Sequence, residues 1–325
     1  MNNIKLFFYI IKMNIGFWDN SMGERGTTVS LYDYAYFNQK LLKNKSFVFY
    51  DKNNRENKEK IIKKFQKICD VYGTNNFQEV DDYIIKHNIS HIYIIKSGEI
   101  DNRISKVAKN CIHCVFNCNQ PHGDIFSSIS TSLWGYKNLI PIVPHMIHLP
   151  KHNENLRKKL NIPENAIVYG GYGGKDSFNI PFVHKVVYYI ALNNPHIYFL
   201  FANFNKFCPD LPNIIHLPMI TDLHEKVSFI NSCNAMIWAR NIGETFGIAI
   251  GEFSTMNKPV IAMKIGALNH YNILKNKGIW YSNENELAQI LLKFDPETAK
   301  NNNWNAYNNY SPEKVMNIFK NVYLI

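Results

Sequence analysis

Two doubly wound, Rossmann-like parallel-sheet α/β domains are predicted for this chain, on three observations. Strand-like apolar runs alternate with helical patterns from end to end. The alternation breaks once, at the proline-rich passage Pro141 to Pro150, and then restarts. The length of 325 residues suits two domains of ordinary size.

In the first half, Asn14 to Trp18, Ser46 to Tyr50, His91 to Ile95 and Cys111 to Phe116 read as strands. The helical patterns 29–42, 56–69 and 79–87 separate them, as parallel strands with crossover helices require. In the second half the strands are Ala166 to Tyr169, His196 to Phe201, Ile214 to Pro218, Ala235 to Trp238, Pro259 to Met263 and Gly278 to Tyr281. Helical patterns over Glu284 to Phe294 and Ser311 to Tyr323 close the chain, the latter with Ser311 as N-cap and Pro312 at the first position. The expected division is residues 1–145, residues 146–310 and a terminal helix over 311–325. In such sheets ligands bind beyond the carboxyl ends of the strands, so two facing domains are expected to form one cleft.

Hydrophobic residues make up 46% of the chain, enough for packed cores, so a disordered chain is excluded. The net charge of +10 suits an anionic partner, although the heavy use of Asn, Lys and Ile fits an AT-rich genome and discounts part of that charge. No recognised nucleic-acid module accompanies it, so no nucleic-acid partner is expected. The run Ile4 to Ile11 is too short to span a membrane, carries Lys5, and has no cleavage site after it. Residues 1–12 read as an extension ahead of the first strand, and a cytoplasmic location with reduced cysteines is expected. Cys111, Cys114 and Cys118 cluster around His113, but strand alternation points Cys111 and Cys114 to opposite faces, so core thiols are expected and no metal site. The basic segment Lys52 to Lys67 carries Ile61, Ile62, Phe65 and Ile68 on one face, which suits either packing on its own sheet or peripheral contact with an acidic membrane.

The most informative stretch is 243–263. It places Glu244 and Glu252 eight positions apart, Glu244 in a glycine-containing loop and Glu252 in the short helix that follows. Asn257-Lys258-Pro259 ends that helix and starts a buried strand. A helix N-terminus offers unpaired amides and partial positive charge, so the backbone after Phe246, at Gly247 and Ile248, forms a phosphate cradle. Ionised carboxylates are acceptors only, suited to sugar hydroxyls and a ribose diol.

This segment closely resembles the Glu-x7-Glu signature of the retaining glycosyltransferases of family 4, the glycosyl transferases group 1 type with the GT-B fold. Glu244, Phe246, Gly247, Glu252, Pro259, Val260, Ile261 and Ala262 match its pattern, while Thr245, Ala249, Phe253 and Ser254 depart from it. The Asn-, Lys- and Ile-rich style is also similar to glycosyltransferase-like proteins of giant DNA viruses, for which the location would be the host cytoplasm. The resemblance implies an acceptor-side N-terminal domain, a nucleotide-sugar-binding C-terminal domain, and a terminal helix that returns to the first. It implies that Glu244 holds the sugar hydroxyls, Glu252 the ribose, and Phe246, Gly247 and Ile248 the donor turn.

Other residues take their roles from position together with the resemblance. In the loop after the first strand, the resemblance makes Arg25, Gly26 and Thr27 candidates for contact with donor phosphates or acceptor; a surface turn is the other reading. After Cys111 to Phe116 comes Asn119-Gln-Pro-His-Gly-Asp124, where the resemblance implies that His122 contacts the transferred hexose and a turn role is expected of Asp124. In the loop Tyr169-Gly-Gly-Tyr-Gly-Gly-Lys-Asp176, the family's phosphate-binding Arg is missing where Tyr172 or Gly173 stands. Lys175 comes slightly early, and Arg240 is the candidate replacement because a guanidinium grips phosphate bidentately.

The expected activity is therefore that of a retaining, hexosyltransferase-like glycosyltransferase (EC 2.4). It would use a nucleotide-diphosphate-sugar as donor substrate, no cofactor and no metal, and a glycan, lipid or protein as acceptor; no Asp-x-Asp motif is present. The alternatives are a catalytically inactive GT-B module acting as a glycan-binding or scaffold subunit, and a GT-B-like nucleotide-sugar epimerase.

Overall fold

The computed structural model describes residues 12–133 and 140–324; the run Ile4 to Ile11 lies outside them. The chain forms two compact units, each an α/β sandwich around a fully parallel six-stranded sheet.

Unit 1 contains residues 12–128 and 140–143, together with 316–324 from the end of the chain. Its elements are β1 (Asn14–Asp19), α1 (Gly26–Lys40), β2 (Lys45–Asp51), α2 (Glu59–Gln66), β3 (Asp70–Thr74), α3 (Glu79–Lys86), β4 (Ile89–Lys96), β5 (Lys109–Cys114) and β6 (Ile125–Ser128). The strand order is β3-β2-β1-β4-β5-β6, so the order reverses between β1 and β4. The central strands are covered on both faces, which is why β1 and β4 read as continuous apolar runs rather than alternating ones. One face carries an aromatic cluster in which Phe319 stacks on Tyr34 and Phe17 at 5.2 and 6.3 Å. Tyr93 joins it and exchanges a 2.6 Å hydrogen bond with the buried His113 ring. Burial pushes His113 down to about 3, so it is neutral in the fold.

The cysteines of β5 and its exit, Cys111, Cys114 and Cys118, are buried. The strand stops at Cys114, two residues before the expected end, because the next amides turn back onto the β4 exit: Val115 N donates to Lys96 O and Phe116 N to Ser97 O. Helix α2 is shorter than its periodic pattern and buries Ile61 and Phe65 within unit 1. Its lysine face alone is left for any acidic surface. Among the described residues no helix is long and apolar enough to cross a membrane.

Unit 2 holds residues 129–133 and 144–315. It contains β7 (Ile167–Tyr172), α4 (Pro181–Asn193), β8 (Ile197–Ala202), β9 (Ile214–Leu217), α5 (Leu223–Ser232), β10 (Ala235–Ile237), β11 (Gly243–Glu244), α6 (Ile248–Thr255) and β12 (Val260–Met263). After these come β13 (Ala267–Leu268), α7 (Asn269–Leu274), β14 (Gly278–Tyr281), α8 (Glu284–Lys293), α9 (Pro296–Lys300) and α10 (Pro312–Tyr323), whose last turns belong to unit 1. The order β14-β12-β10-β7-β8-β9 repeats that of unit 1, with the reversal between β7 and β10. Tyr169, Phe199, Ile237, Ile261, Leu287 and Leu291 fill its main core. The approach to β7 is stapled by Arg157, whose buried guanidinium donates to the carbonyls of Ser232, Pro163, Glu164 and Ala166 and to Asn234 Oδ1 at 2.9–3.2 Å.

Candidate functional site

Where strand order reverses, loops diverge to opposite faces of the sheet and leave a crevice at the carboxyl ends of the two central strands. In unit 2 those loops follow β7 and β10. The first is the glycine loop after Tyr172, and it is tied down through its carbonyls. Asn203 Nδ2 donates to Gly173 O at 2.7 Å, Ser177 N and Oγ donate to Gly174 O, and Asn205 N donates to Lys175 O. Lys175 itself is exposed.

The second loop runs from β10 through Trp238 and Arg240 to the two-residue strand β11, which pairs in parallel with β13. Glu244 therefore sits in a short bridge rather than in free loop, with Gly243 supplying the positive φ of 72°. One Glu244 oxygen accepts from Trp238 Nε1 and the other from Arg240 NH1, both at 3.1 Å. The expected spare cation for phosphate is thus joined to one of the two signature carboxylates. Its remaining guanidinium hydrogens are additional donors.

Gly247 caps α6 in a left-handed conformation, φ 82° and ψ 65°, which a side chain would strain. Gly251 N makes the first turn's bond to Gly247 O at 2.9 Å, so the amides of Ile248, Ala249 and Ile250 precede the intrahelical ladder, as a cradle requires. The Phe246 side chain is no part of that cradle. It is buried edge-on against Tyr307 and Tyr310, with ring centroids 5.6 and 5.1 Å away. Tyr307 OH donates to Phe246 O at 2.9 Å, so this residue anchors the turn from below.

Glu252, one turn into α6, is 4% exposed. Tyr172 OH donates to one of its oxygens at 2.6 Å and Lys226 Nζ to the other at 2.8 Å. Tyr172, one of the two positions at which the resemblance would put an Arg, thus donates a hydrogen bond to the carboxylate; burial and the adjacent Glu252 charge raise its phenol above the usual tyrosine range. Lys226 was not anticipated. The signal was present in α5: Leu223, Lys226, Val227 and Ile230 follow the i, i+3, i+4, i+7 spacing of an inward stripe, and a lysine on such a stripe needs a buried partner.

In unit 1 the reversal falls between β1 and β4. Asp19, at the end of β1, is 1% exposed and accepts from Arg25 NH2 at 3.1 Å and from Thr28 Oγ1 at 2.7 Å. Arg25 is the N-cap of α1 without a side-chain cap bond, and Gly26 and Thr27 are the helix's first two residues. At the end of β4 the buried Lys96 pairs with Asp101 and lies 3.1 Å from His122 Nε2. His122 Nδ1 lies 2.7 Å from Gln120 O, so that nitrogen carries the proton and Nε2 accepts from Lys96. His122 is thereby brought from the β5 exit to the β4 exit. Asp124 accepts from Asn110 N at 2.6 Å, so in place of a local turn bond it ties the segment ahead of β6 to the start of β5.

No family model and no curated protein matches the chain. Solved structures do resemble it. A glycosyltransferase from Rickettsia africae ESF-5 superposes with a TM-score of 0.69 at 16% identity, over 96% of this chain and 99% of its own. Alr3699/HepE of Anabaena, solved with UDP-glucose, gives 0.64 at 14% identity over 96% of each chain. Sucrose-phosphate synthase from Thermosynechococcus elongatus gives 0.59 at 13% over 95% of each. At such identities what is shared is the fold, and the chain has the two Rossmann-like units of the GT-B glycosyltransferases.

Proposed function

We propose that the protein is a glycosyltransferase that moves a sugar from a nucleoside-diphosphate-sugar to a glycan, lipid or protein acceptor, with retention of configuration and no metal. The observation that carries this reading is the strand reversal of unit 2, where Glu244, the Gly247 turn and Glu252 lie together in sequence on the carboxyl side of the sheet. The structures it resembles include ones solved with UDP and with UDP-glucose, which supports that donor class.

In this reading the amides of Gly247 and Ile248 take the diphosphate, with Lys175 and the outer donors of Arg240 as cations. Glu252 accepts from the ribose diol and Glu244 from the sugar hydroxyls. The bond from the anomeric carbon to phosphate oxygen breaks, and charge builds on the departing nucleoside diphosphate. Preorganised amides and cations stabilise that charge as it develops. The acceptor oxygen bonds to the anomeric carbon on the same face and passes its proton to the departing phosphate oxygen, so no protein nucleophile is needed. For unit 1 we assign Arg25, Gly26, Thr27 and His122 to substrate contact at the ends of β1 and β4.

The test is a panel of nucleotide-sugars incubated with the purified protein and candidate acceptors, with free nucleotide as the readout and Glu244→Ala and Glu252→Ala as controls. Release that both variants abolish supports the reading. Binding without turnover favours a scaffold, and interconversion of nucleotide-sugars without release favours an epimerase.

A further inference from the structure

Ahead of β7, the segment His152-Asn-Glu154 lies against the first turn of α5, where His224 projects. One ligand-type atom from each of His152, Glu154 and His224 lies within 4.8 Å of the other two. The imidazoles stack with centroids 3.6 Å apart and planes 11° apart, and His224 Nδ1 is 3.9 Å from Glu154 Oε2. We propose that these three residues form a site for a zinc-class divalent transition-metal ion that clamps the loop to α5.

Hydrogen bonds hold the loop backbone and the His152 ring in place. Asn231, further along α5, donates to the carbonyls of both His152 and Glu154 at 2.9 Å and fixes the loop backbone. His152 Nε2 lies 3.0 Å from His224 O, an atom that only accepts, so Nε2 carries the proton and Nδ1 keeps its lone pair. Such a carbonyl partner is the usual device that sets the tautomer of a ligating histidine. Consistently, Nδ1 accepts only a long 3.2 Å bond from Glu154 N.

Two imidazoles and one carboxylate suit zinc, nickel or copper, whereas magnesium and calcium take oxygen ligands. Zinc bonds of about 2.0–2.1 Å bring tetrahedral ligand atoms to about 3.3 Å from one another. Stacked parallel rings cannot both aim an in-plane lone pair at one ion, so closing requires the His224 ring to turn out of the stack and Glu154 to swing in, movements for which their 55% and 74% side-chain exposures leave room. The site stands apart from the proposed donor residues, but His224 is two residues ahead of Lys226, so an ion there would stiffen the helix that holds Glu252.

The experiment is titration of the untagged, chelator-treated full chain with zinc chloride, followed by calorimetry and thermal melting. One equivalent should bind and raise the melting temperature, and magnesium should leave it unchanged. His224→Ala and Glu154→Gln should each weaken binding at least about tenfold, the lower end of what even outer-shell partners contribute. Both side chains are exposed, so the variants should melt like the parent without metal. His196→Ala, which removes an exposed imidazole elsewhere in unit 2, should bind zinc normally. Absence of saturable zinc binding, or binding that survives loss of both His152 and His224, overturns the site.

Discussion

At the strand reversal of unit 2, a carboxylate and its cation are both inside the protein: Glu252 and Lys226 have side-chain exposures of 5% and 11%. At the reversal of unit 1, Asp19 is equally buried, but its cation Arg25 is 38% exposed. The two sheets share one strand order, so topology does not cause the difference. It comes from where the cation is attached. Lys226 projects from the inward stripe of a helix, whereas Arg25 stands at the N-cap position of α1 in a loop, where its guanidinium bonds Asp19 and Asn20 but its side chain stays partly exposed. A cation held in low dielectric is bound tightly to its partner and exposes it to heavy loss if either is removed. A solvated cation contributes little and leaves the buried acid under-compensated.

The comparison breaks most visibly at Lys226. Lys226→Met should cost about 3–5 kcal/mol in urea unfolding, because it leaves Glu252 charged and buried with only Tyr172 as donor. A loss under about 1 kcal/mol would show that the pair is solvated and the contrast between the units false. Next in size is an effect on turnover. Glu244→Gln keeps the shape but weakens acceptance from sugar hydroxyls, so kcat/KM for nucleotide release should fall roughly 10- to 100-fold, the worth of a charge-assisted hydrogen bond. Parent-like turnover would remove Glu244 from the site. Arg25→Met should cost about 1 kcal/mol or less in the same unfolding measurement, since an exposed guanidinium is screened and Thr28 still donates to Asp19.

The same contrast governs what the sequence made legible. The central strands β1, β2, β4, β7 and β8 announced themselves because burial on both faces demands apolar runs. The edge strand β3, Asp70-Val-Tyr-Gly-Thr74, is half-exposed, carries no such run and escaped notice, as did the four-residue edge strand β6. The positions of Glu244 and Glu252 were legible because a turn, a helix and a strand are contiguous there. Their partners were not, since Trp238, Tyr172 and Lys226 arrive from other elements and their meeting is a tertiary event. Phe246 misled for a related reason. Its place in the motif suggested ligand contact, but tyrosines about 60 residues onward bury its ring, and only its backbone belongs to the turn.

The smallest expected effect is the most specific to unit 1. Burial raises Asp19 above its ordinary carboxylate value, and Arg25, Thr28 and the local amides lower it by less. With the folded value above the unfolded one, the folded state binds more protons across the window between them. Stability contributed by the protonated form is full below the unfolded value, near 3.8, and is lost as pH rises through the folded value. The neutral isostere Asp19→Asn cannot titrate, so its stability relative to the parent should grow as pH rises from below that window to neutral. Urea midpoints at several pH values measure the slope, and the result separates two accounts of the cluster. A difference that widens with pH means that burial outweighs the solvated Arg25. A difference that reverses, with the variant less stable at neutral pH, means that Arg25 holds Asp19 as tightly as Lys226 holds Glu252, and the two reversals are then electrostatic equals.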